Sequence, residues 1–208
     1  MSAAGGWVAL RLMERSTERV LLNTERLVLR QFTISDADNL ADLDADPDVM
    51  RFVTGGLATS RDEIKDNLLP GFIAWYSRSD GYGCWAADEK STGAFLGWFR
   101  FHPRRGGSFG EIVLGFRLRK SAWGKDFATE GSRALIHKGF TELGAQRVMA
   151  ETMAVNRASR RVLEKAGLNF VRIFHQPWPY RVEGRELGDV EYAVSKDEWE
   201  RHNGMTAE

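Results

Sequence analysis

Residues 114–135 read LGFRLRKSAWGKDFATEGSRAL, and the pattern changes twice along them. The apolar residues Ile112, Val113, Leu114, Phe116 and Leu118 suit a buried strand. Arg119, Lys120, Gly124 and Lys125 then crowd into a short basic loop. From Phe127 the spacing becomes helical, through Ala128, Gly131, Ala134, Leu135 and Lys138. A loop that runs into a helix start offers unpaired backbone N–H groups and the positive end of the helix dipole. Such a junction suits a phosphate, and Gly124 lets a ligand approach the backbone closely. A solvated turn has the same composition, so the loop alone decides nothing. Two phosphate motifs are excluded, because the chain contains neither GxxxxGK[ST] nor GxGxxG.

Working outward, Leu22 to Phe32 reads as a first strand. Ser35 with Asp38 resembles a capping box opening a helix to about Asp44, and Asp46-Pro47 ends it. Asp48 to Val53 reads as a short helical turn. Ser60 with Glu63 opens a second helix that buries Ile64, Leu68, Phe72, Ile73 and Trp75. Strands follow at Gly83 to Ala87, Phe95 to His102 and Phe109 to Leu118, then the helix from Phe127 to Leu143, and a strand from Gln146 to Val155. Ser159 to Ala166 gives another helix, closed by Gly167. Leu168 to His175 and Val190 to Ser195 should pair as a hairpin, and Asp197 to His202 forms a last helical turn. This order is an α+β pattern in one domain, and periodicity alone supports no finer statement.

Composition sets limits. The chain has 208 residues, 43% apolar and 28% charged, as expected of one ordinary globular domain. Lys+Arg and Asp+Glu both total 29, which argues against a nucleic-acid binder driven by bulk charge. The single cysteine, Cys84, excludes an internal disulfide or a multi-cysteine metal site and suggests a reducing, cytoplasmic setting. No apolar run is long enough to span a bilayer, and the N-terminus lacks a signal-peptide pattern.

Three ordered blocks carry a resemblance. They are Glu111, Ile112, Gly115 and Leu118; Trp123, Gly124, Ala128, Thr129 and Glu130; and Asn156, Ser159, Val162, Leu163, Glu164, Lys165 and Gly167. Together the chain resembles the GCN5-related N-acetyltransferases, in the branch of the ribosomal-protein alanine/serine N-terminal acetyltransferases. The resemblance runs from about Asn23 to Trp199, with residues 1–22 as an extension and 200–208 as a tail. It departs from the family loop at Ser121 and at Asp126, whose carboxylate would repel a pyrophosphate.

The resemblance implies a single GNAT-like domain. Its mostly antiparallel sheet would have six to seven strands, a splayed parallel pair and about four flanking helices. It implies acetyl-CoA as cofactor and an amine acceptor, either a protein N-terminus or a small molecule, with no nucleic acid, no membrane and a homodimer as a candidate state. The strand at Phe116 and Leu118, continuing to Arg119, would offer backbone groups to the pantetheine arm. The loop of Trp123, Gly124, Lys125, Asp126, Phe127 and Ala128 would cradle the pyrophosphate. Asn156 would reach pantetheine across the splay, although NRAS also reads as a helix cap. Glu111 is the first candidate base, with Glu151, His102 and His175 behind it. The tyrosine many relatives carry after the asparagine is missing, which leaves Ser159 as the nearest hydroxyl for the leaving thiolate, or Tyr180 or Tyr192 from farther along. The other reading is an acyl-CoA-binding module of the same fold with little or no turnover.

Overall fold

A computed structural model describes residues 19–79, 81–104 and 106–204. Most of the expected N-terminal extension, and the last four residues, lie outside the described residues. The chain opens with β1 (Val20–Asn23) and β2 (Leu27–Gln31), a 3-10 turn (Ile34–Asp36), α1 (Ala37–Asp44) and α2 (Pro47–Thr54). Next comes α3, a continuous helical run of Arg61–Glu63, a π-helical stretch Ile64–Leu68, and Leu69–Ile73. Then follow β3 (Gly83–Glu89), β4 (Phe95–Pro103), β5 (Glu111–Leu118) and, after a 3-10 turn (Lys120–Ala122), α4 (Phe127–Thr141). The chain closes with β6 (Arg147–Met153), α5 (Arg157–Lys165), β7 (Asn169–Phe174), β8 (Asp189–Ser195) and α6 (Lys196–His202).

The strands form one eight-stranded sheet in the order β1-β2-β3-β4-β5-β6-β8-β7. Only β5 and β6 run parallel. The strand count exceeds the expected six to seven because the first predicted strand is a hairpin. Thr24 turns the chain: its N–H donates to the Leu27 carbonyl at 2.9 Å, and its hydroxyl accepts the Leu27 N–H at 2.8 Å. Part of the stretch read as an extension therefore joins the sheet. The short helices α2 and α6 raise the helix count above the expected four. The first cap also lies two residues earlier than expected: Asp36, not Asp38, accepts the Thr33 N–H, at 2.9 Å. The second cap is as expected, with Glu63 N–H on the Ser60 hydroxyl at 3.1 Å.

Both faces of the sheet are covered. On one, α4 and α5 seal a core containing Phe99, Phe101, Ile112, Leu114, Phe140 and Tyr192. On the other, α1 and α3 pack Leu40, Leu43, Ile64 and Phe72 against Phe32, Cys84 and Ala86. Helix α4 sits close to β4. A Cβ on Gly131 would lie 2.4 Å from the Phe99 ring, and one on Gly139 would lie 2.6 Å from Phe101.

Candidate active site

The site follows from how the parallel pair ends. The β5–β6 ladder holds only Glu111↔Arg147, Ile112↔Val148 and Val113↔Met149. Beyond it, β5 stays on β4 as far as Leu118↔Gly97, while β6 stays on β8 as far as Met153↔Asp189. The two strands therefore part after Val113 and Met149, and a fork opens inside the sheet. Arg119 donates its N–H to Leu96 O at 2.7 Å, away from the fork. By antiparallel alternation, Phe116 and Leu118 then turn their N–H and C=O groups, and Leu114 its C=O, toward the opening. The Leu118 carbonyl is taken by the Trp123 indole N–H at 2.9 Å.

At the open end lies the loop marked by the sequence. Gly124 has φ 71°, with open space where a Cβ would stand. Asp126 is the N-cap of α4 and has φ 62°, the only positive φ among the described non-glycine residues. Its side chain caps nothing. Instead the exposed carboxylate pairs with Lys165 Nζ at 2.7 Å, and that bond, with the Lys165 charge, holds its pKa below the ordinary value. The first-turn N–H groups of α4, beginning at Phe127 and Ala128, thus remain without a side-chain cap. Arg26 and Glu130, which no motif pairs, fasten the loop from behind. Glu130 accepts the Arg26 N–H at 2.8 Å and its Nε at 2.7 Å, while Arg26 Nη1 donates to Lys125 O at 2.9 Å. Burial raises the Glu130 carboxyl, but bonds from Thr24 and Arg26 outweigh it and hold the carboxyl below its usual range. A groove of about 600 Å³ beside this clamp is lined by Thr24, Arg26, Asp126, Glu130, Arg133 and Lys165.

The structure separates the other sequence candidates. Asn156 caps α5 by accepting the Ser159 N–H at 3.1 Å. Ser159 stands in the first turn of that helix, half-buried. Tyr192 is buried under α5, donating to Glu164 at 3.0 Å and accepting from Arg160 Nε at 3.1 Å. Tyr180 is exposed. Arg160 is turned inward, also donating to Ala154 O at 3.0 Å. Arg119 points its guanidinium over the Phe95 ring at 5.7 Å. Cys84 is buried, and burial pushes its thiol pKa up to about 12, which makes it a poor nucleophile.

Glu111 is exposed in the first rung of the ladder, at the closed end of the fork. Glu151 stands beyond the last rung, on the far prong, as an ion-pair partner of Arg104. The pairings His102↔Val113 and Arg100↔Gly115 place both β4 side chains on the α1–α3 face beside the near prong. His102 stacks on Trp75 with ring centroids 4.3 Å apart. Its Nδ1 lies 2.7 Å from Pro103 O, so that nitrogen carries the proton and Nε2 carries the lone pair. Burial lowers its pKa and favours the neutral ring. His175 lies beyond β7, with Nε2 3.2 Å from Glu186 O. Arg100 carries no motif; in FRFH it reads only as the polar partner of an alternating strand.

Among the described residues, no group of three or more His, Cys, Asp or Glu could hold a metal, and no helix is long and apolar enough to cross a membrane.

Known proteins share this architecture. The acetyltransferase (GNAT) domain matches residues 26–169. The FsC-acetyl coenzyme A-N(2)-transacetylase of Aspergillus fumigatus is 32% identical over 186 residues, spanning 86% of this chain and 78% of that protein. The uncharacterized protein YkkB of Bacillus subtilis is 31% identical over 164 residues, 75% of this chain and 91% of its own length. A GNAT acetyltransferase from Bacillus anthracis superposes with TM-score 0.69 at 20% identity, covering 86% of this chain and all (100%) of that one. A ribosomal L7/L12 α-N-protein acetyltransferase, RimL, solved with coenzyme A, gives TM-score 0.69 at 18% identity over 85% of this chain and 98% of its own. With the forked sheet and the uncapped α4 loop, these matches make the chain a member of the GNAT family of acetyl-CoA-dependent N-acetyltransferases.

Proposed function

We propose that the protein acetylates the primary amine of a small molecule, which attacks directly in a ternary complex on the α1–α3 face of the fork. One observation carries this reading: the β5–β6 ladder stops at Val113↔Met149 while both strands continue. When bound, acetyl-CoA supplies an acetyl thioester.

The residues present fit that group. The Leu114 carbonyl, both Phe116 backbone groups and the Leu118 N–H face the gap and would hold an extended arm as a strand holds its neighbour. The first-turn N–H groups of α4, with Gly124 leaving room, would hold a diphosphate. Lys125, Phe127 and Ala128 complete the loop, and the Arg26–Glu130 clamp fixes its shape. A backbone N–H at Phe116 or Leu118 would steady charge developing on a carbonyl oxygen.

For proton removal from the amine we assign Glu151, beyond the fork on β6, ahead of Glu111 at its closed end. Ser159, at the start of α5, is the hydroxyl assigned to the leaving thiolate, directly or through water. Asn156 spends its carbonyl oxygen on the α5 cap and keeps its amide donors for pantetheine. The N(2)-transacetylase relative supports a small-molecule amine over a protein N-terminus.

A second reading, a binding module without turnover, draws support from Tyr192, which is locked between Glu164 and Arg160 and cannot serve as the acid. Thiol release from acetyl-CoA across a panel of amines, with calorimetric binding of coenzyme A, separates the two. Transfer predicts binding and thiol release with at least one amine. Tight binding with no release for any amine or peptide supports the module. No binding at all overturns both.

A further inference from the structure

Across the fork, one row of side chains stands on the α1–α3 face. Cys84 pairs with Arg100, and Arg100 pairs with Gly115 on the near prong; Glu151 and Glu191 continue the row beyond the gap. Gly115 has no side chain, and the guanidinium fills its place. A Cβ there would lie 3.3 Å from Arg100 Nε and 3.5 Å from Nη2. The arginine therefore lies over the strand that edges the fork.

Arg100 has no ion-pair partner among the described residues. Its Nε is shut off from solvent without a hydrogen-bond partner, and among the described residues no carboxylate lies within ion-pair distance of it. The neighbouring acids each lie closer to another arginine. Glu151 is paired with Arg104, Glu191 with Arg147 and Arg172, and Asp44 with Arg117. The contrast with Arg30 is instructive: that buried arginine on the same face is held by both Asp36 and Asp88. A partly desolvated guanidinium without a close counter-ion is costly unless something completes it.

We infer that Arg100 receives an anionic oxygen of the acceptor, so that the preferred substrate is an amine with a carboxylate close to the reacting nitrogen. The inference rests on the acetyl-transfer reading above. It assigns the two sides of the fork: the amine goes to the Glu151 side, and the oxyanion goes over Gly115 to Arg100. Arg100 is then a specificity residue, reaching the acceptor but not the transferred group. The planar fork of the guanidinium suits a carboxylate in a two-point contact.

The test uses conjugates that need no turnover. Coenzyme A is joined through –S–CH2–C(O)– to the nitrogen of glycine or of glycinamide, and again to β-alanine or its amide. Calorimetry measures each conjugate and free coenzyme A on the full-length protein and on Arg100→Met and Arg100→Lys. We expect at least one carboxylate conjugate to bind wild type about tenfold or more tightly than its amide. Arg100→Met should abolish that ratio while binding free coenzyme A as wild type does, and Arg100→Lys should retain part of it.

Equal binding of carboxylate and amide by wild type overturns the inference and leaves acetyl transfer standing. An unchanged ratio in Arg100→Met also overturns it, because another group would then read the carboxylate. Failure of free coenzyme A to bind wild type removes the functional reading itself, and this inference with it. Should Arg100→Met not fold, the wild-type ratio and the Arg100→Lys ratio still decide.

Discussion

Asp126 takes a left-handed backbone where glycine would be at ease, and its carboxylate stands at the positive end of α4. Aspartate tolerates this conformation better than most side chains. Its ion pair with Lys165 offsets the charge, which is how a residue that would repel a diphosphate can occupy this position. Asp126→Gly should therefore tighten coenzyme A binding only modestly, about two- to fivefold at low ionic strength, with the gain fading in high salt. Calorimetry at two salt concentrations measures this; a gain of a hundredfold would mean the carboxylate faces the ligand after all. Glu151→Gln should lower kcat about a hundredfold or more while leaving coenzyme A affinity intact, and Glu111→Gln should change kcat much less. Steady-state kinetics of the two variants side by side would reverse the assignment if Glu111→Gln were the slower enzyme. From the sequence, Glu111 came first as the candidate base and Glu151 second, each a carboxylate on a central strand. Only the ladder register separates the closed end of the fork from the open one.

At the level of elements, the strand–loop–helix unit was legible because each part has a local cause. Alternation built β5, Gly124 made the bend, and the spacing from Phe127 made α4. Tertiary choices were not legible. The turn at Thr24 splits the first predicted strand, and nothing in the sequence pairs Arg26 with Glu130 across 104 residues. The close fit of α4 on β4 makes its own prediction. Alanine is the better helix former, by about 0.5–1 kcal/mol over glycine. At Gly131, however, a Cβ would meet the Phe99 ring at 2.4 Å, and overpacking costs about 1–3 kcal/mol. Gly131→Ala should lower stability on balance, as seen in urea unfolding, and a stabilised variant would mean that α4 can lift off the sheet. Gly124→Pro should abolish coenzyme A binding, because proline cannot adopt φ 71° and carries no N–H. Calorimetry on a folded variant reads this directly, and unchanged affinity would move the diphosphate away from the loop.

For the molecule as a whole, stability in acid should depend on the buried Arg30 cluster, where Asp36 sits 2.8 Å and Asp88 2.8 Å from the guanidinium. Burial raises the Asp36 carboxyl, but bonds from Arg30 and from the Thr33 N–H outweigh it and hold its folded pKa below the ordinary value. A depressed carboxylate contributes its full stability above its unfolded pKa, about 3.9, and loses it as pH falls through the folded value. Asp36→Asn should cost about 3–5 kcal/mol at neutral pH, since it strips one partner from a buried charge. Its deficit should shrink as acid protonates the wild-type carboxyl. Urea titrations of both proteins from neutral pH downward would show this; a deficit that stays constant into strong acid would mean Asp36 is not ionised in the fold.

A sheet whose middle strands part company has a frayed seam at its centre, where most proteins keep their slowest-exchanging amides. The amides of Phe116 and Leu118 should accordingly trade hydrogen for deuterium far faster than those of Val113 or Arg117, which belong to closed ladders. Filling the seam with coenzyme A should slow those two amides selectively and raise the melting temperature, as if a missing thread had been sewn back in.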